Sequence, residues 1–219
     1  MKRNQSGFTL IEIAIVLVII GLLLGGVLKG QELINSAKVK NLAGDFKNVP
    51  VYVYGYQDKF RALPGDDSGV VAHVTGTLAT TGGTAGNGII EGNWNSATNT
   101  EETFLFWQHV RLAGLAPGAT SVGASDYIPT NAVGGKIGIT NSGANLPITG
   151  MKGSYIICSD AIAGKFAKQL DTTLDDGSPN TGSLQITVAG TSTGGTAKTT
   201  AEMTAAGADD TPFLVCMGF

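Results

Sequence analysis

Residues 8–28 read FTLIEIAIVLVIIGLLLGGVL, an almost unbroken apolar run that carries a single charge, Glu12. At about 1.5 Å of rise per residue, some 20 such residues make a helix long enough to cross a bilayer. A carboxylate one turn into that run costs about 2.5–3.5 kcal/mol in hydrocarbon, so a partner for it is expected. The run is preceded by a short polar, basic leader, MKRNQSG at residues 1–7, which ends in a small residue. Two plainer readings compete: a single-span anchor whose glutamate reaches the interface, and a cleaved secretory signal. The run is long for a signal core and no A-x-A site follows it.

Working outward, residues 29–61 hold six basic residues against three acidic ones, whereas residues 62–219 hold six basic against thirteen acidic. A basic stem therefore carries an acidic head, within a formal net charge of −3. Lys2 and Arg3 favour a cytoplasmic N-terminus, which places the head on the far side of the membrane. The acidic head argues against nonspecific nucleic-acid binding. With 32 glycines and only 14% charged residues, the chain suits a β-rich extracytoplasmic domain.

From Val39 the apolar positions step by three and four: Val39, Leu42, Phe46, Val49, Val53, Tyr56 and Phe60. That spacing is one helix stripe. The reading is a single helix from about Phe8 to Phe60, kinked near Pro50, ending before Leu63-Pro64-Gly65-Asp66. Residues 70–84 read as strand edges and loop. Residues 99–115 read as a helix capped by Asn99 or Thr100 and stopped at Gly114, burying Phe104, Trp107 and Val110. Short strands are expected at 136–139, 154–158, 183–188 and 213–216. A helix is expected over 160–174, capped by Ser159 or Asp160, and residues 191–208 read as a mobile loop with little to bury.

The N-terminal string Gly7-Phe8-Thr9-Leu10-Ile11-Glu12 resembles that of type IV pilins and type II secretion pseudopilins. In that family a prepilin peptidase cuts after the glycine and the new terminal phenylalanine is N-methylated. The resemblance makes Gly7 the cleavage position, Phe8 the methylated terminus and Glu12 the carboxylate that pairs with a neighbour's terminal amine during assembly. Physics agrees: two staggered subunits that pair these charges offset both desolvation costs, and stranding one costs roughly 3–5 kcal/mol. A second, shorter similarity lies in Leu63-Pro64-Gly65-Asp66, Gly86-Asn87-Gly88 and Phe104-Leu105-Phe106-Trp107, which resemble an LPGD-containing subgroup of pilin-like proteins.

The resemblance implies an α+β fold, a lollipop whose long N-terminal helix packs on a small antiparallel-sheet head. Its parts are a leader (1–7), a transmembrane and assembly helix (8–28), an amphipathic stem (29–62) and an extracytoplasmic head (63–219). The implied function is that of a structural subunit, not an enzyme. It would be a type IV pilus-like homo-oligomeric filament subunit, served by prepilin peptidase and a pilus or secretion assembly platform. The precursor would sit in the bacterial inner membrane and the product in a periplasmic or cell-surface filament. A type II secretion pseudopilin is the alternative within the family, and a non-polymerising membrane-anchored binding domain the alternative outside it.

Cys158 and Cys216 are the chain's two cysteines. In an exported head they form one disulfide or stay as two buried thiols; two cysteines do not complete a tetrahedral metal set. The family often carries a C-terminal disulfide loop. No Ser/His/Asp, Cys/His or HExxH arrangement is visible around the two histidines, His73 and His109. No cofactor is expected apart from calcium. Asp66, Asp67, Asn87 and Glu91 are candidate oxygen ligands for it, as are Asp171, Asp175, Asp176 and Asn180, against simple turn and cap chemistry.

Overall fold

A computed structural model describes residues 10–219. Packing divides it after Lys38 into two units. In the first, residues 10–38 are entirely helical and belong to α1 (Leu10–Phe60). None of residues 10–28 is buried.

The second unit, Val39–Phe219, is an α+β domain. The rest of α1 contributes Val39, Leu42, Phe46, Val49, Val53 and Tyr56 to its core, as the spacing predicts, together with Ala43, whereas Phe60, expected to end the stripe, is only half-buried. The helix contains Pro50, whose missing N–H removes one intrahelical bond without ending the helix. It stops where Arg61 turns left-handed, at φ 56°, and donates its N–H to the Gln57 carbonyl. The Leu-Pro-Gly-Asp turn follows. Gly65 has φ +94°, and a Cβ there would lie 2.5 Å from the Glu102 carbonyl oxygen, so only glycine fits.

The remaining elements are α2 (Val70–Val74), α3 (Glu102–Leu112), β1 (Ile137–Asn141), β2 (Tyr155–Ala163), α4 (Gly164–Leu174), β3 (Leu184–Val188), α5 (Thr200–Thr204) and β4 (Pro212–Gly218). The four strands form one antiparallel sheet in the order β1-β2-β4-β3. Both faces are covered. Ile157, Val215, Ile186 and Leu184 join the large core with α1, α3 and α4. Ile156, Cys158, Leu214 and Cys216, which alternate with them, pack with Trp94, Ile148 and Met151 in a smaller second core.

Several expectations are corrected. Residues 70–84 begin with the helix α2, not a strand edge. The N-cap of α3 is Glu101, and neither Asn99 nor Thr100 caps it. Residues 160–163 belong to β2, because Ile162 and Ala163 pair with Phe213 and Pro212 beyond a bulge at which Ala161 has φ 57°. Sheet pairing there outweighs local helix propensity. The helix α4 accordingly starts at Gly164, with Ala163 at its N-cap and no side-chain cap. Residues 191–208 bury Met203 and Ala208 and include α5, held by a reciprocal capping box between Thr199 and Glu202. The expected stop of α3 at Gly114 stands, with φ +74° just past the C-cap.

Candidate assembly segment and acidic sites

The N-terminal segment is built for a nonaqueous neighbourhood. Among the described residues, one helix is long and apolar enough to cross a membrane, and its most apolar window is unburied. Leu10 is 91% exposed and Leu22 73%. A continuous unburied apolar surface of this kind marks a membrane or partner-helix contact. Glu12 lies in the first turn of α1 as described and is exposed. Gly7 and Phe8 lie outside the described residues.

The domain that carries this helix is fastened by polar ties that the spacing of residues does not reveal. The Tyr56 hydroxyl donates to Asp67 Oδ2 at 2.7 Å, His73 Nδ1 lies 2.7 Å from the same oxygen, and the Gly69 N–H donates to Asp67 Oδ1. Burial alone would raise the Asp67 carboxyl; these bonds and the histidine bring it below the usual carboxylate range. The same contacts tie α2 to the end of α1, with Phe60 stacked on His73. His109 is fully buried. Its Nδ1 accepts from the Gly65 N–H and its Nε2 faces the Thr77 carbonyl, so the ring is the neutral Nε2–H tautomer. Burial lowers its pKa, in keeping with that neutral form.

The first candidate ligand set has these surroundings. The Asp66 carboxylate accepts the backbone N–H groups of Gly86, Asn87 and Gly88 at 2.5, 3.1 and 2.7 Å. The Asn87 side chain accepts from Ile89 N–H and donates to Glu91 Oε2, which also takes the Thr84 N–H. The Gly-Asn-Gly loop is thus wrapped on Asp66 as a nest of N–H donors on a carboxylate. The second set is gathered more tightly: Asp171, Asp175 and Asp176 each offer a carboxylate oxygen within 4.8 Å of the others. Cys158 and Cys216 form a disulfide across directly opposed positions of β2 and β4.

Glu102, an acid that suits the positive end of a helix, is buried at the start of α3. Its Oε2 accepts the Glu91 N–H at 2.7 Å, while Oε1 has no partner among the described residues. Burial, only partly offset by the Glu91 N–H and reinforced by the charges of Asp66 and Glu91, pushes its carboxyl up to about 7. Asp45 is pushed up to about 6 by burial. A carboxyl raised in the folded state binds protons more tightly there than when unfolded, so stability is present at low pH and lost as pH rises through the folded pKa. These two acids therefore take stability away as pH rises from 5 to 8, while the buried neutral His109 acts in the opposite direction over the same range. Glu102→Gln is expected to recover up to about 3 kcal/mol at pH 8 and less than about 1 kcal/mol at pH 5. Urea unfolding at the two pH values measures this; equal effects at both would contradict it.

Residues 2–28 match the family model of the prokaryotic N-terminal methylation motif. That motif is the prepilin-type cleavage and methylation segment of type IV pilins and pseudopilins. A comparison with curated proteins finds no match.

Proposed function

We propose that this chain, which carries the prepilin-type segment, is a structural subunit of a type IV pilus-like filament. It would be made as an inner-membrane precursor, cut after Gly7 by a prepilin peptidase, methylated on Phe8 and drawn into a helical assembly by a membrane platform. The observation that carries this reading is the helix of residues 10–28, unburied along its whole length, apolar but for Glu12, and continuous with the matched motif. A lone anchor needs the apolar length but has no use for an acid in it. Packing many such helices together buries the apolar surface, at about 25 cal/mol per Å². Pairing Glu12 with a neighbour's terminal ammonium offsets the cost of both charges and sets the axial stagger. The work is assembly, and no set of catalytic side chains is invoked.

The test is to shear filaments from cells, image them by electron microscopy and identify their subunits by mass spectrometry. This chain in surface fibres supports the pilus reading. Its recovery only in short periplasmic assemblies that depend on a secretion system moves it to the pseudopilin reading. Its recovery only as an unassembled membrane protein contradicts both.

A further inference from the structure

Asn87 and Gly88 make up the chain's one Asn-Gly pair. Such a pair reacts with itself when the glycine nitrogen attacks the asparagine side-chain amide. Glycine opens the approach because it has no Cβ to block it. Here Gly88 has φ +85°, and nothing lies within 4 Å of where a Cβ would stand. Both residues are exposed, so water reaches them.

The groups around the pair are those the reaction needs. The Gly88 N–H, which must give up its proton before the nitrogen attacks, donates to Asp66 Oδ2 at 2.7 Å. Asp66 is 2% exposed, and none of the ion pairs among the described residues involves it. The titratable groups whose charge it feels are Glu102 on α3 and Tyr155 on β2, with Glu91 beside Asn87 in the loop. Burial raises the Asp66 carboxyl in spite of the loop N–H groups bound to it, which strengthens it as a base. Negative charge develops on Asn87 Oδ1 during the attack, and that oxygen accepts the Ile89 N–H at 2.9 Å. The same bond folds the side-chain amide back over its own peptide and aims a fixed donor at the oxyanion. Asn87 Nδ2, the leaving group, donates to Glu91 Oε2 at 2.7 Å. A base on the nucleophile and a donor on the oxyanion are the two aids that acyl transfer uses.

We propose that Asn87–Gly88 is a self-modification site, at which Asp66 is the general base for closure of a cyclic imide. The Gly88 nitrogen passes its proton to Asp66 and bonds to Asn87 Cγ. The Cγ–Nδ2 bond breaks, and the departing nitrogen takes up a proton, which Asp66 returns through solvent, and leaves as ammonia. Water then opens the imide at either carbonyl and leaves aspartate or isoaspartate at position 87. One water is consumed and one ammonia released, with no change of oxidation state. The product sets an anionic oxygen where the amide donor met Glu91, so the loop loses that tie.

The test incubates the full-length chain in detergent at neutral pH, in parallel with the same chain reduced and unfolded in guanidinium chloride. Peptide mass spectrometry follows residue 87, reading the exchange of an amide nitrogen for oxygen and separating isoaspartate from aspartate. The folded chain is expected to convert at least about tenfold faster than the unfolded one, because a positioned base commonly contributes about a hundredfold or more. The unfolded rate climbs with hydroxide from mildly acidic to mildly alkaline pH, whereas the folded rate levels off once Asp66 is ionised. Asp66→Asn is expected to slow the folded chain about tenfold or more and to restore the climb. Should that variant fail to fold, the two wild-type pH profiles decide. A folded rate equal to or below the unfolded one overturns the proposal. So does a folded rate that climbs with hydroxide as the unfolded one does, or a folded Asp66→Asn chain that converts as fast as the wild type.

Discussion

Glu12→Ala is expected to leave the precursor in the membrane while removing it from filaments. The two halves of this outcome have separate physical causes. Insertion depends on the apolar length of residues 8–28, and deleting the one charge makes the run easier to insert, by about 2.5–3.5 kcal/mol. Assembly, on the function proposed above, depends on what meets the terminal amine of the next subunit. Without the carboxylate, that ammonium is stranded in low dielectric at a cost of roughly 3–5 kcal/mol per contact. Each 1.4 kcal/mol is a factor of ten, so incorporation is expected to fall a hundredfold or more. Membrane fractionation follows the first half, and quantitative mass spectrometry of sheared filaments the second. Glu12→Gln, which keeps the shape but not the charge, is expected to fail in the same way. Wild-type incorporation of either variant would contradict the pairing.

Replacing both cysteines by alanine is expected to destabilise the globular unit by about 2–5 kcal/mol, a fall of about 5–15 °C in the unfolding midpoint. The bond spans 58 residues and joins the two inner strands of the sheet at a directly paired position. Its chain-entropy contribution for a loop of that length is about 4 kcal/mol, on a model-dependent account. Both cysteines are fully buried against Trp94, Ile148, Met151, Ile156 and Leu214, so their loss also leaves space in the smaller core. Calorimetry of the wild type and the double variant, both with calcium chelated, measures the difference. An unchanged midpoint would show that the strands hold without the bond.

The parts legible from the sequence are those in which one periodicity acts over many residues. The α1 stripe from Val39 to Tyr56 is such a case: helix spacing and burial select the same side chains. The turn after it was also legible, because Gly65 occupies a conformation and a space that only glycine tolerates. Residues 160–163 were not. Their composition suits a helix as well as a strand, and the choice is made by partners in β4 some fifty residues away. Residues 191–208 looked empty because Thr, Gly and Ala carry little area, yet the Thr191 carbonyl accepts the Trp94 indole N–H, Ala197 packs on the smaller core and Met203 joins the large one. In the acidic clusters, residue types could be read but burial could not. Asp66 and Asp67 turned out to be anchors for backbone and side-chain donors, whereas Asp171 kept an oxygen without one. Glu102 was legible only as an acid suited to the positive end of a helix, where such acids are ordinary at the surface, and its burial was not.

The central claim is that this chain is processed at its N-terminus and then assembled through it. The most direct measurement is the mass of the mature N-terminal peptide, from protein isolated from its native membrane and from filaments. The account predicts a peptide beginning at Phe8, heavier by one methyl group than the unmodified sequence. A mature chain that still begins with residues 1–7 would contradict it.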